Sequence, residues 1–252
     1  MKLLEKIRRH PKLLTTALSL VVTLAILIVA VVTMLPRSLA WFASNRRAAA
    51  GGMTLSAAED YLRFADTFTA KAVMNDVEIA SREFVRGQDG NYYFTNPESG
   101  EKNTLFYDSL FPGEHIEMTL RFTCAPGREG SAYRMYFSGL AESDTFVTTA
   151  GVTYSILGVY RLSVRNAENG AWEDKGFLAD YGEGATAVSD TVEITRGTLA
   201  PDKADADGYW SVTLRLTVDL AQYQKLEGIY SNLLSEKTAA IHSVVLAPGE
   251  GA

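Results

Sequence analysis

From residue 70 onward the chain alternates apolar and polar positions with a period of two. In residues 114–124 one face reads Ile116, Met118, Leu120, Phe122 and Cys124, and the other reads Glu117, Thr119, Arg121 and Thr123. In residues 209–220 the apolar face is Trp210, Val212, Leu214, Leu216, Val218 and Leu220, against Ser211, Thr213, Arg215, Thr217 and Asp219. Successive side chains of a strand point to opposite faces, so both stretches predict strands of an antiparallel sheet with one face on a core. Leu214 and Leu216 are therefore expected to be buried, and Arg215 and Thr217 exposed. Shorter stretches of the same kind predict strands at 73–79, 92–94, 132–137, 160–164, 192–194 and 241–246.

Residues 87–91, 96–100, 125–127 and 166–170 are rich in Gly, Pro, Asn and Asp and separate these strands as turns. Many short strands with such turns predict an all-β fold, an antiparallel β-sandwich of jelly-roll type. Only residues 221–237 carry a helical rhythm, with Tyr223, Leu226, Ile229, Tyr230 and Leu233 on one stripe. They predict a short peripheral helix at the sandwich edge.

The N-terminus follows a different pattern. Residues 13–35 are 23 positions without a charge, and five of the first twelve residues are Lys or Arg. A hydrocarbon core is crossed by about 20 apolar residues in a helix, and a basic flank stays in the cytoplasm. Residues 13–35 thus predict a membrane-inserting helix, with everything after them outside the cell. Pro36 then breaks the helix, and Ser38 and Ala40 are the small residues of a signal-peptidase site with the cut before Trp41. Cleavage gives a secreted protein; retention gives a membrane-anchored one. The expected division is 1–40 signal or anchor, 41–56 N-terminal arm and 57–252 extracellular domain.

Charge sharpens this division. The 252 residues carry a net charge of −6, but residues 1–40 hold six basic residues and one acidic; without them 18 basic and 29 acidic residues leave about −11. An acidic body lacks the basic footprint that nucleic acid requires. With Cys124 as the one cysteine, no intramolecular disulfide and no cysteine-based zinc site can form. Cys124 is expected as a small buried strand residue.

Catalytic and cofactor motifs are sparse. Of three histidines, His10 precedes the apolar run, leaving His115 and His242, each expected as an ordinary strand residue. There is no His-Glu-x-x-His, no Gly-x-Ser-x-Gly and no phosphate-binding Gly-x-x-x-x-Gly-Lys. The chain is not read as an enzyme, and no cofactor is called for. One acidic loop, with Asp202, Asp205 and Asp207 ahead of Gly208, has the look of a calcium loop. With Gly208 at the sixth position, however, the first is Lys203 and the twelfth Leu214, where an EF-hand needs a ligand and a bidentate Glu. A solvated hairpin turn is the first reading and a weak calcium site the second.

The stretch Ser38-Leu39-Ala40-Trp41-Phe42-Ala43-Ser44-Asn45-Arg46, followed by Gly51-Gly52-Met53, resembles the processing region of TasA- and camelysin-like proteins. These are Firmicute surface proteins cut by a dedicated SipW-type signal peptidase. Leu110-Phe111-Pro112-Gly113-Glu114 and Tyr230-Ser231-Asn232 are similar in the same way, each ahead of a strand. The resemblance implies SipW-type processing and a secreted biofilm-matrix fibre subunit at the cell surface. Its camelysin branch is classed with metallopeptidases, which no metal or nucleophile motif here supports. After a cut before Trp41, the arm carries Trp41 and Phe42 among small residues, a composition suited to adding a strand to a neighbour's sheet. Self-association through Trp41 and Phe42 is the first functional expectation. A membrane-anchored surface domain that binds a protein or glycan is the second.

Overall fold

The computed structural model describes residues 23, 54–57, 61–97, 100–103, 111–166, 169–182, 188–229 and 232–249. The chain divides after residue 44. Its first unit contributes one described residue, Thr23, which is helical. No helix among the described residues is long and apolar enough to cross a membrane. The rest of the apolar run 13–35 lies outside them.

The second unit is a β-sandwich. Its strands are β1 (Thr54–Ala57), β2 (Leu62–Phe64), β3 (Thr67–Met74), β4 (Val77–Arg86), β5 (Tyr92–Thr95), β6 (Lys102–Asn103), β7 (His115–Cys124) and β8 (Ala132–Ser138). They continue with β9 (Thr145–Val147), β10 (Thr153–Ser155), β11 (Tyr160–Arg165), β12 (Trp172–Phe177), β13 (Thr191–Thr198), β14 (Trp210–Val218) and β15 (Ser243–Pro248). The larger sheet runs β12-β11-β14-β7-β3-β4-β5-β6, with β2 also laddered to β7; the smaller runs β1-β15-β8-β13. Strands β9 and β10 form a separate hairpin.

The two long alternations become β7 and β14, which pair antiparallel from Trp210 opposite Phe122 to Thr217 opposite His115. Met118, Leu120, Phe122, Leu214 and Leu216 from this sheet share one core with Met135, Phe137, Ile194, Val244 and Leu246 of the other. Across the sandwich the Phe122 and Tyr133 rings lie 5.0 Å apart. The core begins earlier than the alternation suggests, since Leu62, Phe64 and Phe68 are buried as well.

Several expectations are corrected. Residues 73–79 are not one strand but the tip of the β3–β4 hairpin. Asn75 and Asp76 both take positive φ, 49° and 61°, as a two-residue turn that follows strand twist requires. Asn and Asp tolerate that region without glycine, so the turn carries no glycine signal. Residues 221–237 form no α-helix among the described residues: a single 3-10 turn, Tyr223–Lys225, stops at Leu226, which is extended with ψ 141°. Gly228 then turns with φ 69°, and a Cβ there would stand 2.3 Å from Thr149 Oγ1. Glycine disfavours helix, and Tyr223, Leu233 and Leu234 are buried as loop anchors instead. Tyr230 lies outside the described residues. The arm, placed at 41–56, ends sooner. Thr54–Ala57 already ladders with β15, the one parallel pairing among the described residues, and Leu55 is buried.

Candidate functional site

Three surfaces of the sandwich carry the residues of interest. The first is the acidic turn between β13 and β14. Asp202 sits apart, in the exposed 3-10 turn Pro201–Lys203. Asp205 folds the turn on itself: its Oδ1 accepts the backbone N–H of Asp207 at 3.0 Å and of Tyr209 at 2.9 Å. Its Oδ2 accepts from Arg121 of β7, and Asp207 Oδ2 lies 3.7 Å from the same guanidinium. Arg121 also covers the Tyr209 ring at 4.5 Å. The Tyr209 amide, then the Arg121 guanidinium, hold the Asp205 carboxyl below its ordinary range. A protein cation thus stands between Asp205 and Asp207, two of the three carboxylates that the sequence brings forward as calcium ligands. Among the described residues no group of three or more His, Cys, Asp or Glu is placed to hold a metal ion.

The second surface is the outer face of the larger sheet, where Ser163, Arg215, Glu117 and Lys71 stand abreast on β11, β14, β7 and β3. Arg215 donates to Glu117 Oε1 from Nη2 at 2.6 Å and Nε at 3.2 Å. Its guanidinium lies 4.0 Å from the centre of the Trp172 ring on β12. Opposite charges facing each other across strands stabilise a sheet, and a guanidinium over an indole adds to that. Arg215 and Thr217, expected exposed, are accordingly half-buried. Two residues before Glu117, His115 is 6% exposed. Its Nε2 has no hydrogen-bond partner among the described residues. Glu117 Oε1 lies 3.3 Å from that nitrogen, an ion-pair distance without hydrogen-bond alignment. Burial, then the neighbouring Arg215, push the His115 pKa down, and Glu117 opposes them.

The remaining candidates resolve plainly. His242 precedes β15 and pairs with Glu142 at 2.9 Å. Cys124 ends β7 half-buried, with its thiol pKa raised by burial and then by Glu129. A shallow cleft over β8 and β13, lined by Tyr133, Arg134, Glu193 and Arg196, is closed on itself, because Arg196 holds Glu193 through two 2.7 Å bonds. Ser38, Ala40, Trp41 and Phe42 lie outside the described residues. No family model, no curated protein and no solved structure matches the chain.

The third surface is made of sheet edges. β1 closes one edge of the smaller sheet with four residues. In the larger sheet β4 ladders with β3 along its length but with β5 only at Val85 and Arg86. The other edge of residues 77–84 carries no ladder among the described residues, and this hairpin exposes Met74, Val77, Ile79 and Val85. Sequence reasoning could not find this edge, because pairing partners are not written in the alternation of one strand.

Proposed function

We propose that this chain is a secreted structural subunit, similar to TasA-like matrix proteins, that is cut before Trp41 by a SipW-type peptidase and assembles through the arm that follows. Residues 13–35 act as the signal helix, and the sandwich is read as jelly-roll-like. In support of that topology, the chain crosses between the two sheets repeatedly: β8, β13 and β15 of the smaller sheet alternate in sequence with β7, β11–β12 and β14 of the larger. The observation that carries the assembly reading is β1. The arm enters the domain as a four-residue parallel strand with Leu55 as its buried anchor, so the chain just upstream of it starts at a sheet edge. Edges invite added strands, and a donated strand gains main-chain hydrogen bonds plus side-chain pockets. The edge of β4 that carries no ladder among the described residues, with Val77 and Ile79 exposed, is a suitable acceptor. Repeating a head-to-tail contact of this kind builds an open filament.

Two measurements test this reading. Mass spectrometry of the native extracellular protein is expected to find Trp41 as the first residue. A mature protein that keeps residues 1–35 would instead favour the anchored, ligand-binding reading. Deleting residues 41–50 leaves β1 intact, so the domain is expected to keep its stability within about 0.5 kcal/mol while filaments vanish from electron micrographs. Filaments that persist without residues 41–50 would refute assembly through the arm. A large loss of monomer stability would assign the arm to its own domain's core.

A further inference from the structure

We propose that His115 is a proton-triggered switch on the outer face of the larger sheet, one that decides whether Arg215 covers the Trp172 ring. The geometry is a three-body competition for one oxygen. Glu117 Oε1 accepts both bonds from Arg215 and is also the oxygen 3.3 Å from His115 Nε2. While the imidazole is neutral, Glu117 belongs to Arg215, and the guanidinium is held 4.0 Å over the indole. When the imidazole takes up a second proton from solvent, a second cation stands beside Arg215 and needs the same carboxylate. Opposite charges attract and like charges repel most where water is scarce. The partner that yields is the one with access to water. The Arg215 side chain is 24% exposed, whereas the His115 side chain is 7% exposed and has nowhere to go.

Burial and then Arg215 on β14 oppose the imidazolium, while Glu117 on β7 and Asp76 in the β3–β4 turn stabilise it. Lys71 on β3 is opposite Glu117 but is already engaged by Glu78 of β4 at 2.7 Å, so it does not replace Arg215. Because the folded state lowers the histidine's proton affinity, the switch works below the ordinary histidine value of 6.5. The sign follows from linkage: the folded state binds the proton less well than the unfolded chain. The contribution to stability is therefore complete above that value and is lost as the pH falls toward the folded-state pKa. The result at acid pH is an uncovered indole face on an otherwise intact sheet.

The test uses the full-length protein in detergent micelles, with Trp172 read by tryptophan fluorescence and acrylamide quenching as the difference between wild type and W172F. Between about pH 7.5 and about pH 4.5, quenching of Trp172 is expected to rise severalfold, in a one-proton step below 6.5, with unchanged far-ultraviolet circular dichroism. In H115Q the step is absent and the indole stays covered. In R215Q the indole is open at every pH, which keeps the test meaningful even if H115Q folds poorly. A step that survives in H115Q, the absence of any step in wild type, or a step accompanied by loss of the β-sheet signal would each overturn the proposal.

Discussion

Leu214→Ala is expected to lower the unfolding free energy by about 2–5 kcal/mol, the range for emptying a large side chain from a tight core. Leu214 is fully buried. It sits mid-sheet on β14, directly between Met118 of β7 and Val164 of β11, so the space it leaves has neighbours on both sides that are held by their own ladders. Collapse of the cavity is therefore limited, and the cost belongs in the upper part of that range. Arg215, the next residue on the same strand, faces the other way. Alternation alone predicts that its loss is nearly neutral, but its bonds to Glu117 and its cover of Trp172 raise the expected cost of Arg215→Ala to about 1–2 kcal/mol. Urea titrations of both variants read the difference as a shift in midpoint at constant slope. Equal losses from the two would mean that the strand register is wrong.

That pair of residues also marks where sequence reasoning ends. Strands β7 and β14 were legible because they are long, lie in the middle of the sheet and have one dry face, so nearly every position votes for the same phase. Strand β12 was not: it is an edge strand with Glu173, Asp174 and Lys175 all exposed, and an edge strand wetted on both faces has no alternation to read. In β13 the register shifts between Glu193 and Thr195, and a bulge of this kind resets the phase of the side chains that follow. The stripe at 221–237 misled for a complementary reason. Tyr223 and Leu233 are buried as anchors of an irregular segment, which gives apolar positions without a helix. The outer-face cluster was illegible in principle, since Arg215 and Glu117 are 98 positions apart and meet only through the sheet register.

Gly158→Ala is expected to be as damaging as a core deletion, although it adds a single methyl. Gly158 lies in a buried 3-10 turn, Ile156–Val159, that leads into β11. A Cβ at this position would fall 1.9 Å from Cε1 and 2.2 Å from Cζ of Tyr181, well inside the distance at which carbon atoms repel. The ring cannot step aside easily. Its hydroxyl donates to the Ser155 carbonyl at 2.7 Å, and its backbone N–H donates to Gln222 Oε1 at 2.9 Å. The ring is also packed against Phe146 and Tyr154. Gln222 closes the arrangement by donating to the Gly158 carbonyl itself. Overpacking a core costs about 1–3 kcal/mol when neighbours can shift, and here shifting also breaks the buried hydroxyl bond, so about 3 kcal/mol or more is expected. A double-mutant cycle isolates the cause. Tyr181→Ala alone costs about 3–5 kcal/mol, but once the ring is gone the added methyl at 158 has space, and Gly158→Ala in that background is expected to change stability by less than about 0.5 kcal/mol. If the two losses add instead, the tyrosine ring is not what excludes a side chain from position 158, and the turn's own backbone must be.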